Sequence, residues 1–96
     1  MQTFKIGMLA RAKAGHDKNK IFVILRDEEE YVYLVDGKGR TLDSPKKKNK
    51  KHIQIIKHIP VKLENMAQDI KNVNNEIIKE VITLEVKKQS KTDKNI

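Results

Sequence analysis

Three histidines, two serines, a cluster of acids and a run of lysines are the side chains in this chain whose types could do chemistry. His52 and His58 tempt a metal reading. On one extended strand, however, six residues at about 3.3 Å each separate them by about 20 Å, too far to share an ion. Ser44 and Ser90 lie in no nucleophile-elbow pattern, and the acids gather at Asp27–Glu30, a stretch that charge repulsion keeps open to water. With no cysteine in the chain, disulfides and thiolate metal sites are excluded. These residues predict no enzyme, no metal and no cofactor. What remains is "PKKKNKKH", in which Lys46, Lys47, Lys48, Lys50, Lys51 and His52 follow Pro45. Such a run is either a solvated loop or a contact surface for a polyanion.

The rest of the composition favours the polyanion. The 96 residues carry a net charge of +8, and a basic domain selects anionic partners such as nucleic acid or an acidic membrane surface. The charge is uneven. Residues 38–58 hold eight Lys/Arg against the single acid Asp43, a local charge of +7, whereas residues 61–96 sum to +1. Lysines in a β region rather than on an amphipathic helix disfavour the membrane surface. The longest apolar run, Ile21–Leu25, is five residues, far short of the roughly 20 needed to span a bilayer. The first 15 residues lack the uninterrupted apolar core of a leader. The expectation is a cytoplasmic, monomeric protein with no membrane partner.

The elements that must position the lysines follow from periodicity. Phe4, Ile6, Met8 and Ala10 alternate as in a half-buried strand. "AGHDKN" is a turn cluster in which Gly15 and Asn19 are best able to take positive φ. In "KIFVILRD" the run Ile21–Leu25 is apolar on both faces, which predicts a strand covered on both sides. After the "EEE" tip, "YVYLV" is a further strand, closed by a tight turn at Asp36-Gly37. Arg40–Leu42 is expected as its short return, the lysine run as a tethered loop, and Ile53, Ile55 and Ile59 as the last strand. Beyond Pro60 the period lengthens: Met66, Ile70 and Val73, then Ile77, Ile78, Val81 and Ile82, fall at helical spacing after a cap at Asn74 or Asn75. Alternation of Ile82, Leu84 and Val86 leaves a strand reading open there. The expected organisation is a mainly β domain over residues 1–60, a small barrel of about five strands, with a helical C-terminal extension over 61–86 and a disordered tail over 87–96.

The segment "GMLARAKAGHDKNKIFVILRDEEEYVYLVDG" resembles the KOW motif, a strand-loop-strand element of SH3-like barrels in ribosomal proteins and transcription elongation factors. "AGHDKNK" supplies Gly15, Asp17, Lys18 and Lys20 of its loop. Asn19 stands where that motif usually has glycine, and Ile21-Phe22 where another glycine is usual. With "DGKGR" and "PKKKNKKH", residues 4–59 resemble bacterial KOW-domain RNA-binding proteins similar to eukaryotic and archaeal large-subunit ribosomal proteins. The resemblance implies a non-catalytic RNA-binding protein, its partner ribosomal RNA or a ribosome-associated particle. The contacts would come from the first loop (Lys13, His16, Lys18, Lys20) and the basic segment (Lys38, Arg40, Lys46, Lys47, Lys48, Lys50, Lys51, His52). Gly15 and Gly37 are assigned to turn geometry. Tyr31 and Tyr33 share a strand face and suit cross-strand contacts or base stacking. The alternative is a protein-interaction module of a transcription or translation complex, bound to ribosomal or transcription proteins, as similar barrels are in elongation factors.

Overall fold

The apolar run Ile21–Leu25 needs cover on both faces, and the architecture supplies it. A computed structural model describes residues 3–64 and 73–94. Five strands, β1 (Leu9–Ala12), β2 (Ile21–Asp27), β3 (Tyr31–Val35), β4 (Lys46–Asn49) and β5 (Ile53–Lys57), form one antiparallel sheet in the order β4-β3-β2-β1-β5. A helix, α1 (Asn75–Lys94), follows. On one face of β2, Phe22 and Ile24 meet Met8, Ala10, Ala12, Val32, Leu34 and Ile53. On the other, Ile21 and Val23 join Leu9, Val35 and Leu63 beneath Ile78 and Val81 of α1. Each of the larger side chains among these, the alanines excepted, contributes about 1.5–3 kcal/mol by leaving water. The boundary expected at residue 60 therefore does not divide the core, because the helix completes one face of the sheet.

The sheet is strongly curled. β4 and β5 are its two edges, yet only the 3-10 turn Lys50–His52 joins them. Four strand spacings of about 4.8 Å would put flat edges about 19 Å apart. Three residues of 3-10 turn rise about 6 Å. Curling reconciles the two distances, and it brings the end of β4 against both hairpins. The Lys50 amide donates to the Glu30 carbonyl at the β2–β3 tip (3.0 Å), and the Lys13 amide donates to the His52 carbonyl (2.7 Å).

Several expectations hold in detail. Gly15 and Asn19 both take positive φ, 83° and 73°. The helix begins at the expected cap: Asn74 Oδ1 accepts from the Ile77 amide at 2.9 Å, satisfying one of the first-turn donors. Others require correction. The first strand starts at Leu9 rather than Phe4, because Gly7 (φ 97°) turns the chain. Arg40–Leu42 is not a strand; the return strand is the lysine run itself. An edge strand without apolar alternation forms there because its partner β3 supplies the ladder, and lysine on an edge deters pairing with another chain. Pro45, which has no amide to donate, sits just before it. The helix runs to Lys94, through the segment from residue 87 that the sequence marks as a disordered tail. Met66 and Ile70 lie outside the described residues, while Val73 is half-buried against the second cluster.

One glycine joins the sheet to the helix. Gly37 has φ 82°, and a Cβ there would lie 2.5 Å from the Asn75 carbonyl oxygen and 2.7 Å from Lys79 Cγ. The turn around it is held by Asp36, whose carboxylate accepts from the Lys38 and Arg40 amides (2.8 and 2.9 Å). A third tie runs from the Leu42 amide to Asn75 Oδ1 at 3.0 Å. At Gly39 an added Cβ meets nothing within 4 Å. Gly37→Ala should therefore lower unfolding stability by roughly 1–3 kcal/mol, whereas Gly39→Ala should stay within about 0.5 kcal/mol of the parent. Urea denaturation of the two variants checks this.

Candidate nucleic-acid interface

β4 alternates its lysines between two environments. Lys46 and Lys48 stand opposite Leu34 and Val32, whose side chains face the first core cluster, so both lysines lie on the concave side of the curled sheet. Both are half-buried, and their ammonium groups reach the β1–β2 loop. Lys46 pairs with the Asp17 carboxylate, and Lys48 Nζ donates to the Ala14 carbonyl at 3.0 Å. Lys50 extends the pattern: its Nζ lies 2.6 Å from Asp27 Oδ1 and 5.4 Å from the centroid of the Phe4 ring. These three lysines stitch the structure together. The tethered loop expected here is instead an edge strand and turn whose lysines bind neighbouring segments.

Lys47 and Lys51 are exposed. Lys47 stands opposite Tyr33 on the convex face, its Nζ 4.4 Å from the centroid of the Tyr31 ring. Arg26, opposite Tyr33 on the other side, lies 5.6 Å from the centroid of the Tyr33 ring. Arg26, Tyr33 and Lys47 thus form a cross-strand row with Tyr31 beside it. Tyr31 is 36% exposed. The sequence points to the tyrosine pair but not to Arg26, which enters this face because a β-bulge between Ile24 and Arg26 shifts the register.

The β1–β2 loop is built to hold its shape. The Asn19 amide donates to the Ala12 carbonyl (2.8 Å), Lys18 to Gly15 (3.1 Å) and Lys20 to Asp17 (2.9 Å). Lys13, His16, Lys18 and Lys20 project from it exposed. Fastened to β4 through Lys46 and Lys48, and to the 3-10 turn through Lys13 and His52, the loop joins the basic run in one continuous face. Lys38 and Arg40 lie on the β3–β4 turn near the start of α1, where Lys38 borders a cleft together with Lys20 of the loop. Among the described residues no three His, Asp or Glu side chains converge as metal ligands would. No described helix is long and apolar enough to cross a membrane. Compared with known proteins, the chain matches no family model and no curated protein significantly.

Asp17 is the anion on which this face is organised. A hydrogen bond from Lys46 holds its carboxyl below the usual carboxylate value; the Lys46 and Lys20 charges add to this, against the opposing effect of burial. Lys20 Nζ is 3.5 Å away. Because the folded-state value is depressed, the carboxylate's contribution is complete above the unfolded-state value near 4 and is lost as pH falls through the folded value. Asp17→Asn should cost up to about 1 kcal/mol at neutral pH, the upper end for a surface pair, since neither partner is fully exposed. As pH falls below the unfolded-state value and through the depressed folded one, the stabilities of parent and variant should converge. Urea unfolding at several pH values checks this; a gap independent of pH contradicts it.

Proposed function

We propose that this is a non-catalytic RNA-binding protein, its curled sheet an SH3-like barrel of the KOW type, which contacts structured RNA through the face formed by the β1–β2 loop and the basic run. The observation that carries the reading is the pair of lysine ties, Lys46 to Asp17 and Lys48 to the Ala14 carbonyl, which fuse two separate basic segments into one rigid surface. A loop and strand fastened in this way present their exposed lysines from a fixed backbone, and counterion release then drives binding that depends strongly on salt. A-form RNA hides its base edges in a deep groove, so a surface of this kind reads shape and phosphate spacing. The barrel reading is supported by the three-residue connection between the two edges of the sheet. Ribosomal or ribosome-associated RNA in the cytoplasm is the partner that the resemblance implies.

A protein-docking module would want one apolar patch with central anchors. Among the described residues, the large exposed apolar side chains are Tyr31, Leu84 and Val86. They are dispersed: Tyr31 lies on β3, and Leu84 and Val86 border separate clefts beside α1. That arrangement favours RNA.

The lysines divide into those that hold the fold and those that are free to meet phosphate, so the binding test uses the second set. Replacing Lys13, Lys18, Lys47 and Lys51 with glutamine should weaken binding to a structured ribosomal RNA fragment by orders of magnitude. The slope of log K against log salt should flatten by about 3, at roughly 0.7–0.9 for each phosphate left without its lysine. Unfolding stability should fall by no more than about 0.5–1 kcal/mol, the worth of the exposed Lys47–Tyr31 contact. Binding equal to that of the parent would remove this face from the account.

A further inference from the structure

A cleft of about 630 Å³ lies between α1 and the loops on either side of it, within the range of about 300–1,000 Å³ that small-ligand clefts occupy. Its composition is divided. Ile21, Ile82 and Val86 supply apolar walls, and Lys20, Lys38, Lys79 and Lys87 border it. The one acid at this border, Asp36, is already engaged by the amides of its own turn. Four cations around an apolar slot suit an anion that carries a flat, weakly polar body. The cleft also continues the face described above, since Lys20 and Asn19 belong to the β1–β2 loop.

We propose that this cleft receives an unpaired nucleotide of the bound RNA, its base against Ile21, Ile82 and Val86 and its flanking phosphates on the four lysines. The proposal rests on the RNA-binding reading and deepens it. It makes α1 part of the interface and narrows the substrate from structured RNA in general to duplex interrupted by a bulge or loop. Unpaired bases are the part of RNA that a protein can draw out and enclose. Two of the lysines have carboxylate neighbours to exchange for phosphate: Lys79 with Glu76 at 2.8 Å and Lys20 with Asp17 at 3.5 Å. Both pairs are exposed on at least one side, so the exchange sacrifices little. Asn19, held at φ 73°, lines the cleft, and an asparagine amide can both donate to and accept from a base edge.

The test compares two RNA hairpins with the same stem, one fully paired and one carrying a single bulged uridine, at physiological salt. The parent protein should bind the bulged hairpin on the order of tenfold more tightly. Val86→Glu puts a carboxylate at an exposed position on the helix, where the fold tolerates it, and should abolish that preference while leaving the paired hairpin bound. Lys79→Gln with Lys87→Gln should reduce the preference in the same direction. In the parent, the methyl resonances of Ile82 and Val86 should shift with the bulged hairpin and not with the paired one. Equal binding of the two hairpins by the parent, or a preference that survives Val86→Glu, overturns the cleft proposal and leaves the loop interface standing. Methyl shifts produced by a polyglutamate peptide and not by the bulged RNA also overturn it, assigning the cleft to an acidic protein segment. Failure to bind either hairpin removes the RNA-binding reading and the cleft proposal together.

Discussion

A three-residue connection constrains everything else in this protein. Lys50–His52 must carry the chain from one edge of a five-stranded sheet to the other, and only a strongly curled sheet allows it. Curling creates an inner face small enough for a few side chains to fill, with Phe22, Ile24, Val32, Leu34 and Ile53 at its centre. It also brings the lysines of β4 to the β1–β2 loop, from which β3 and β2 would otherwise separate them. The second face of β2 remains apolar and would be exposed without α1, so the helix belongs to the same cooperative unit.

The same constraint divides the lysine run by function. Alternation along β4 sends Lys46 and Lys48 inward to Asp17 and Ala14 and leaves Lys47 outward beside Tyr31. A chain with this much positive charge repels itself. Directing part of the charge onto an acid and a carbonyl of its own loop reduces that repulsion, and it sets the position of the remaining lysines. Ordering the loop before a polyanion arrives lowers the entropy lost on binding. The RNA-binding reading thus depends on lysines that themselves never need to touch RNA.

The sequence makes some of this legible. An apolar run with no polar interruption is visible at Ile21–Leu25, and its need for two covers anticipates the helix on the second face. Gly15 and Asn19 announce left-handed backbone because few other residues tolerate it. β4 is hidden for an equally physical reason: an edge strand of three lysines and an asparagine has neither alternation nor β-branched residues, and only its pairing with β3 makes it a strand. Phe4 and Ile6 keep the two-residue period but lie before the turn at Gly7, so periodicity places the first strand too early. The helix lysines of the cleft have a faint signal. Lys79, Thr83 and Lys87 recur every fourth residue, one face of a helix, but their meeting with Lys20 and Lys38 depends on how α1 lies across the sheet.

The most direct test of the central claim is a salt titration of the intact protein against a structured ribosomal RNA fragment, with heparin as a polyanion of different shape. A rigid face matched to phosphate spacing should retain the RNA at physiological salt, with a slope that reports several phosphates, and heparin should not match it. If RNA and heparin are released together, well below physiological salt, the charge is non-specific and the account of an ordered RNA-binding face is contradicted.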